Sequence, residues 1–521
     1  GEVQLFSAAV PWQHVRQIGE DIAAGDMIVP SFTELTPPVL GAMLATGVLE
    51  VEVFSRPKVG IIPTGDELVS PQAEPSSGDI IEFNSTIFST TLQDWGCQVI
   101  VYPVVKDQKQ LLVEAMKKAV QECDFVLLNA GSSAGKKDYS VDTIEEIGQV
   151  ILHGIAIRPG KPVVLGYTKQ DGKVIPLVGL PGYPVSAILV MDHLVKPALN
   201  ILLGKTDQPE KLVTATVSKR LTSSLKYLEF IRARVGNVNG KLVAVALNRG
   251  AGVVSSFVKA DGIIQIPQNT EGYEAGEEVP VQLVRDMEDI NKTLVITGSH
   301  DPLIDEVIDL MKRKWPDTQV VSSHVGSLGG LMALRRGEAH LGGTHLLDEE
   351  TGVYNTAYVK RYFPDGGVKL VSCVYRSQGL IVAKDNPLNV KGVEDITNLR
   401  YVNRQKGSGT RILLDFLLKQ KAINPDQVKG YEREEITHTS VAAAVSSGTA
   451  DAGMGILSAA RIYDLGFVPL IQEQYDFLVD EKTFDNPQFQ HMLEIMKTDE
   501  FVQRLERLGG YQLNNPGEVI I

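Results

Sequence analysis

The sequence has few cysteines, no long apolar run and no basic leader. Its 521 residues include three cysteines, Cys97, Cys123 and Cys373. None of them has the spacing of a metal-binding motif, and an odd count argues against a disulfide framework. No apolar run reaches about 18 residues, so we predict no membrane-spanning helix. No signal segment opens the chain, and we expect a cytoplasmic protein.

The chain also has no excess of positive charge. The formal net charge is −14, and neither half of the chain is basic. This excludes general nucleic-acid binding, which needs a basic surface. Any anion that the protein binds must be held by local donors against the overall field.

The length is too great for a single hydrophobic core. We predict a lead-in segment at 1–55, a doubly wound α/β domain at 56–207, an all-β barrel or sandwich at 208–285 and a bilobed α/β binding domain at 293–521. The α/β assignments rest on alternating strand and helix patterns, and the barrel rests on short period-two segments between glycine and asparagine turns. A charged linker, Arg285–Lys292, precedes the last domain.

Local patterns predict individual elements of the first α/β domain. Pro57–Ile62 is an apolar strand, and Ser85–Trp95 is a helix with Asn84 as its N-cap. A second helix follows Asp107, which we also interpret as a cap. Phe125–Leu128 is wholly apolar, which is typical of a strand buried on both faces of a parallel sheet.

The stretch PTGDEL places polar residues where the first strand ends. Pro63 ends that strand, and Gly65 allows a tight bend that presents Asp66 and Glu67. Ligands of α/β sheets bind at the carboxyl ends of the strands. The alternative is a simple turn with helix-capping carboxylates.

Three further segments have the character of anion-binding loops. NAGSSAGKKDY follows Phe125–Leu128, and its glycines and serines allow backbone N–H groups to approach a phosphate. Asp138 could hold a divalent cation there. RPGKP offers Lys161 as a phosphate contact, and GLPGYPVSA starts a helix at Pro184 whose free N–H groups point toward the same cleft. Each segment alone is equally consistent with a structural turn.

Together and in this order, the four motifs resemble those of the molybdopterin molybdenumtransferases, from about residue 10 to 285. The resemblance implies insertion of molybdate into adenylylated molybdopterin with Mg²⁺, release of AMP, and a homodimer. It implies that Asp66, Asp138 and Lys161 are catalytic and that Asp66 and Asp138 hold the metal. It implies substrate contacts at Thr64, Gly65, Glu67, Gly131, Ser133, Gly135, Pro181, Gly182, Pro184 and Ser186. Ala130 and Tyr183 depart from the family's usual Gly and Asn.

Residues 293–521 resemble periplasmic-type solute-binding proteins of the tungstate- and molybdate-binding branch. Their Gly/Ser/Thr loops open helices, and hydroxyls with free helix N–H groups suit a desolvated oxyanion. The resemblance implies oxyanion contacts at Ser299, Ser327, Arg404, Ser408, Thr410 and Thr439. The alternative is that the hydroxyls are only N-caps. For His300, His324, His345 and His438 we expect solvated or supporting roles, since they lack metal-ligand spacing.

Our leading hypothesis is therefore a cytoplasmic molybdenumtransferase with an appended domain for molybdate, tungstate or a similar small anion. One alternative is a non-catalytic oxyanion sensor built on the transferase fold. Another is a scaffold that assembles other cofactor-biosynthesis proteins. None of these hypotheses involves a nucleic acid or a membrane.

Overall fold

The computed structural model describes residues 2–4, 6–130, 139–206, 209–299 and 301–521. It forms two compact units. The first comprises Gly1–Ile155 and Gly160–Pro209, and the second comprises Ala156–Pro159 and Glu210–Ile521.

The elements up to residue 202 belong to the first unit, except for one short strand. The strands are β1 (Lys58–Pro63), β2 (Leu68–Val69), β3 (Ile80–Ile81), β4 (Gln98–Val101), β5 (Phe125–Ala130), β6 (Gln149–His153), β7 (Ile157–Arg158), β8 (Val164–Gln170) and β9 (Lys173–Pro181). The helices are α1 (Pro37–Ala45), α2 (Asn84–Asp94), α3 (Lys109–Glu122), α4 (Tyr139–Ile147), α5 (Pro184–Val190), a π-helical turn (Met191–Val195) and α6 (Lys196–Leu202).

The main sheet of the first unit has the order β4-β1-β5-β9-β8-β6. The first four strands are parallel, and β8 pairs antiparallel with both β9 and the edge strand β6. Strands β1 and β5 are almost entirely buried because they are apolar on both faces. The predicted α/β domain is therefore confirmed, with its strand ends at one edge of the sheet.

Two predicted helix caps are wrong. Asn84 is the first residue of α2, and its side-chain amide donates to the Gly182 carbonyl at 2.8 Å instead of capping the helix. The third helix begins at Lys109 with Gln108 as N-cap and no side-chain cap. Asp107 lies one residue too early to cap α3, because its backbone is drawn toward the end of β1.

One helical stretch, Pro184–Leu202, is long and apolar enough to cross a membrane by length and composition alone. Its first half, α5, packs in the α/β core, where Val185, Ala187 and Leu189 are fully buried. These contacts describe a core helix of the α/β domain.

The remaining elements form the second unit, together with β7. The strands are β10 (Leu212–Val217), β11 (Leu221–Thr222), β12 (Leu228–Val238), β13 (Lys241–Ala246), β14 (Gly262–Ile266), β15 (Gly272–Tyr273), β16 (Glu278–Leu283), β17 (Leu294–Gly298), β18 (Val320–His324), β19 (Leu341–Thr344), β20 (Val368–Val382), β21 (Tyr401–Arg404), β22 (Glu434–Glu435), β23 (Ala452–Ile456), β24 (Gly466–Asp480) and β25 (Tyr511–Leu513). The helices are α7 (Ser255–Lys259), α8 (Met287–Lys292), α9 (Pro302–Lys314), α10 (Ser327–Arg335), α11 (Thr356–Tyr362), α12 (Gly409–Gln420), α13 (His438–Ser446), α14 (Leu457–Ile462), α15 (Pro487–Ile495) and α16 (Asp499–Leu508), with short 3₁₀ turns at Val393–Asn398, Pro425–Gln427 and Glu481–Thr483.

The predicted barrel is closed by five strands. The order β13-β10-β16-β14-β12 returns to β13 through a second pairing, and β7 extends the sheet beside β12. The interior holds alternate apolar residues of each strand.

The C-terminal domain is bilobed, as predicted. Its strands follow the order β18-β17-β19-β24-β20-β23-β21-β22. We call the lobe around β17, β18 and β19 lobe A, and the lobe around β21, β22 and β23 lobe B. The long antiparallel strands β20 and β24 run through both lobes and form the hinge between them.

Lobe A is packed directly on the barrel. Val295 of β17 shares a buried cluster with Val238, Val243 and Val245 of the barrel hairpin β12–β13. A side chain at Gly236 would bring its Cβ within 2.2 Å of Val295 Cγ2, so the two backbones approach closely there. The predicted linker is not extended, since it folds largely as α8.

Candidate functional site

The end of β1 presents an exposed carboxylate pair in the first unit. Thr64 and Gly65 are buried, whereas Asp66 and Glu67 are exposed. The Thr64 N–H donates to the Asn129 carbonyl at 2.9 Å, which joins this bend to the end of β5. A Cβ at Gly65 would lie 2.8 Å from Leu68 Cγ, so the bend requires glycine.

A third carboxylate, which the sequence analysis did not assign to the site, joins this pair. The Asp107 N–H donates to Asp66 Oδ1 at 3.3 Å. Burial raises the pKa of the Asp107 carboxyl, the Thr64 hydroxyl opposes that shift, and the charges of Asp66 and Glu67 raise the pKa further. The end of β1 is therefore a concentration of negative charge that a cation would relieve.

Several other predicted substrate contacts lie near the ends of neighbouring strands of the same unit. Pro181 ends β9, and Pro184 begins α5 with Ser186 buried in its first turn. Gly182 lies between them and accepts the Asn84 amide. Lys161 is exposed in the connection that precedes β8. Four predicted residues, Gly131, Ser133, Gly135 and Asp138, lie outside the described residues.

The described residues are compatible with Mg²⁺ but do not form a complete cage. No group of three metal-ligating side chains is found in the described part of the chain. Mg²⁺ usually needs only one or two carboxylates, together with water and substrate phosphates. Asp66 and Asp107 meet that requirement.

The second unit has a different site, built around a buried ion network in the hinge. Arg376 of β20 stands opposite Glu473 of β24 in the strand register, and its Nε pairs with that carboxylate. The other side of the guanidinium pairs with Asp301 of lobe A. All three side chains are buried at 1% exposure or less.

His345 extends this network toward a predicted site residue. Its Nδ1 lies 2.9 Å from Glu473 Oε2, and its Nε2 lies 2.8 Å from Ser299 Oγ. Burial lowers the pKa of His345, and Glu473 only partly opposes this. The imidazole is therefore neutral, with Nδ1–H donating to Glu473 and Nε2 accepting from Ser299, a tautomer assigned from these two contacts. Burial alone would raise the pKa of Glu473, but Arg376 and His345 hold it below its usual range.

Arg404 is the second buried cation of the cleft. It is 1% exposed, and its Nε and Nη2 donate to the carbonyls of Glu435 and Ile436 at 3.2 and 2.8 Å. Its Nη1 contacts no acceptor among the described residues. Burial and the charge of Arg376 lower the pKa of Arg404 to about 9, so the group is still charged at neutral pH.

The carboxylates nearest this loop pair with a neighbouring arginine rather than with Arg404. Arg411 lies 3.9 Å from the carboxylate of Glu432 and 3.6 Å from that of Glu434. Arg404 has no such partner among the described residues and points into the interior.

Three of the other predicted oxyanion contacts are buried near the ends of α10 and α12, and the fourth is partly exposed. Thr410 is buried in the first turn of α12, and its hydroxyl accepts from Gln378. Ser408 caps α12 by accepting from the Arg411 N–H, and Ser327 accepts from the His345 N–H. Thr439 is partly exposed and bonds to Thr437. Ser408 thus acts as an N-cap in addition to any ligand contact.

The two lobes are closed on each other. The Leu328 N–H of α10 donates to the Gly407 carbonyl of lobe B at 3.3 Å. A Cβ at Gly409 would lie 2.3 Å from the His345 carbonyl oxygen, so only glycine permits this approach. The N-termini of α10 and α12 therefore meet across a cleft that is shut from solvent.

Sequence reasoning missed the hinge residues Arg376, Gln378 and Glu473. They lie in two 15-residue strands whose pattern resembles ordinary buried sheet. The sequence signal that could have revealed them is the presence of polar side chains at positions of an apolar strand pattern that are expected to be buried. His345 is buried and contacts Ser299, so of the two roles expected for the histidines it has the supporting one.

Comparison with known proteins agrees with the order of an α/β domain, a barrel and a bilobed domain along the chain. The family described as "Probable molybdopterin binding domain" matches residues 60–201, "MoeA C-terminal region (domain IV)" matches 214–284, and "PBP superfamily domain" matches 308–497.

Individual relatives match over about half of this chain. The "Putative molybdopterin biosynthesis protein" of Methanocaldococcus jannaschii is 32% identical over 291 residues, which are 54% of this chain and 69% of the relative. The molybdopterin molybdenumtransferase of Haemophilus influenzae is 30% identical over 285 residues, 54% of this chain and 70% of the relative. The uncharacterized protein YvgK of Bacillus subtilis is 35% identical over 249 residues, 47% of this chain and 80% of the relative. The chain therefore belongs to the molybdopterin molybdenumtransferase family and carries a PBP superfamily domain in its C-terminal part.

Proposed function

We propose that residues 56–285 insert molybdate into adenylylated molybdopterin with release of AMP. Family membership and the carboxylates at the end of β1 support this proposal. Asp66 and Asp107 belong to neighbouring strand ends, where an α/β sheet binds its ligand. The observation that carries the proposal is the contact between Asp107 N–H and Asp66 Oδ1, which brings two carboxylates to one strand end.

The residues at the carboxyl ends of these strands would contact the metal ion and the substrate phosphates in different ways. Asp66 and Asp107, together with Asp138, would hold Mg²⁺ against the substrate phosphates. The cation, when bound, neutralises phosphate charge next to carboxylates that would otherwise repel it. Lys161 supplies a positive charge to a phosphate, and the first turn of α5 offers free N–H groups.

AMP release from adenylylated molybdopterin with molybdate and Mg²⁺ tests the transferase. We expect Asp66→Asn to abolish AMP release, while Glu114→Gln, an exposed carboxylate of α3, leaves it unchanged. Both variants should unfold at the temperature of the unmodified chain. Undiminished AMP release by Asp66→Asn would show that Asp66 is not catalytic. No AMP release by the unmodified chain would favour the non-catalytic sensor.

We propose that the protein works in the cytoplasm as a homodimer. Two-fold pairing is the commonest arrangement of soluble chains. The lead-in segment exposes Phe6, Trp12 and Phe32, and no residue of α1 is buried. Aromatic side chains are enriched where one chain packs against another. Light scattering that shows a monomer at all concentrations would exclude the homodimer.

We propose that the C-terminal domain binds one small tetrahedral oxyanion, the class that includes molybdate, tungstate, sulfate and phosphate. The observation that carries this proposal is Arg404 Nη1, a buried cationic donor with no described partner. An unpaired charge in a closed interior is costly, and an anion would relieve it. The N-termini of α10 and α12 add partial positive charge at the same cleft.

Calorimetric titration of the full chain with these anions tests the anion site. Charge-assisted hydrogen bonds are worth about 1.5–3 kcal/mol, so Arg404→Met should weaken binding by at least about tenfold. The matched control is Arg433→Met, an exposed arginine of lobe B that contacts Thr449. Equal affinities of Arg404→Met and the unmodified chain would remove Arg404 from the site.

A further inference from the structure

The hinge strand β20 carries a buried acceptor that no described residue satisfies. Gln378 is fully buried, and its Oε1 accepts no hydrogen bond within the described part of the chain. Two positions earlier, on the same face of the strand, Arg376 Nη2 has no acceptor among those residues. Buried polar atoms in folded proteins are nearly always hydrogen-bonded, so both atoms are expected to have a partner beyond the described residues.

The orientation of the Gln378 amide is fixed by its other half. Its Nε2 donates to Thr410 Oγ1 at 2.8 Å and lies 3.4 Å from Glu473 Oε2. The reversed amide would place Oε1 against the Glu473 carboxylate, which is repulsive. The unsatisfied atom of this side chain is therefore an acceptor.

This acceptor belongs to the same cleft as the two cations. Thr410, which binds the Gln378 amide, lies in the first turn of α12, and the loop into that helix begins after Arg404. Arg376 Nε pairs with the Glu473 carboxylate, and Oε2 of the same carboxylate lies 3.4 Å from Gln378 Nε2. The cleft thus offers two guanidinium donors, two helix N-termini and one acceptor.

We propose that Gln378 Oε1 accepts a hydrogen bond from a protonated oxygen of the bound anion. The domain would then prefer oxyanions that keep a proton near neutral pH, the chemistry of hydrogenphosphate and hydrogenarsenate. Sulfate, molybdate and tungstate carry no proton under these conditions and would leave the Gln378 acceptor unpaired in a dry site. This inference rests on the proposed anion site and narrows its ligand.

Titration calorimetry of the full chain with phosphate, arsenate, sulfate, molybdate and tungstate tests the inference. Because an unsatisfied buried acceptor costs roughly one order of magnitude in affinity, phosphate and arsenate should bind about tenfold more tightly than the other three. Gln378→Met should abolish this preference. Gln472→Met, an exposed glutamine of the same hinge that contacts Ser377, should retain it.

The outcomes separate this inference from the proposed anion site. Sulfate, molybdate or tungstate binding as tightly as phosphate would overturn the inference and leave the anion site in place. A preference for phosphate that survives in Gln378→Met would overturn the role of Gln378. If none of the five anions binds, the anion site itself is wrong. The ranking on the unmodified chain needs no variant, so it decides the ligand class even if Gln378→Met does not fold.

Discussion

The two candidate sites of this chain differ in the charge of their main side chains and in their exposure to solvent. In the first unit, Asp66 and Glu67 stand exposed at an open strand end, next to the half-buried Asp107. In the bilobed domain, Arg376 and Arg404 are buried at 1% exposure in a cleft that has closed. The open site collects negative charge and suits a cation with a phosphate-bearing substrate. In the closed site Asp301 and Glu473 offset the charge of Arg376, and Arg404 Nη1 remains as a buried cationic donor that suits a desolvated anion.

The comparison also shows how each site obtains its geometry. The open site is built from loops that follow neighbouring parallel strands of one sheet. The closed site is built from rigid elements, since its central residues lie on the long strands β20 and β24 and at helix N-termini. Loops can adapt to a large substrate, and paired strands hold a small ligand between fixed donors.

Breaking the hinge network should give the largest effect. Glu473→Gln removes the carboxylate charge shared by Arg376 and His345, and losing one partner of a buried ion pair costs about 3–5 kcal/mol of unfolding free energy. Denaturant titration measures this loss. Glu432→Gln, an exposed carboxylate near Lys406, should cost less than about 1 kcal/mol. Similar losses in both variants would mean that the hinge network adds no stability.

Preventing closure should affect only the anion site. Gly409→Val places a side chain against the His345 carbonyl, and overpacking of this kind costs about 1–3 kcal/mol. We therefore expect anion affinity to fall about tenfold to a hundredfold in calorimetry, with AMP release unchanged. Gln420→Val, at an exposed position at the end of the same helix α12, is the control. Unchanged anion affinity in Gly409→Val would show that binding does not need the closed cleft.

Removing the third carboxylate should affect only the transferase. Asp107→Asn should weaken Mg²⁺ affinity about tenfold to a hundredfold, measured from the Mg²⁺ dependence of AMP release. In the unmodified chain the pKa of the Asp107 carboxyl is raised by folding, so the folded state resists its ionisation. The stability of the fold therefore decreases as pH rises above about 3.8, the pKa of this carboxyl in the unfolded chain. The variant should therefore be slightly more stable at neutral pH. A Mg²⁺ dependence equal to that of the unmodified chain would exclude Asp107 from the metal site.

The most gradual effect should be a pH dependence of the stability of the bilobed domain. Burial lowers the pKa of His340 to about 4, with Asp480 opposing, and its Nδ1 accepts from the Val295 N–H. Because the unfolded imidazole titrates near 6.5, this stability is complete above that pH and is lost as pH falls toward 4, by about 1.4 kcal/mol per pH unit. Unfolding free energies measured between these pH values give the slope. His340→Gln should reduce that slope by about 1.4 kcal/mol per pH unit, which is the contribution of one proton. An equal slope in the variant would assign the loss to other groups.

Local sequence patterns were enough to predict the domain classes and the loops of the first site. Strand–helix alternation predicted both α/β domains, and period-two segments predicted the barrel, because periodicity is a local property. The need for Gly65 and the helix start at Pro184 are equally local, since they follow from backbone sterics.

Tertiary structure alone decided which side chains share a site. Asp107 resembles a helix cap along the chain and joins Asp66 only because β1 and β4 pair in parallel. The segment NRQKGSGTR contains two arginines, and only the fold sends Arg411 to surface carboxylates and leaves Arg404 buried. Arg376, Gln378 and Glu473 are distant in sequence from every predicted anion loop. Their role arises because two strands cross the hinge side by side, and such long-range pairing depends on the whole core rather than on any local pattern.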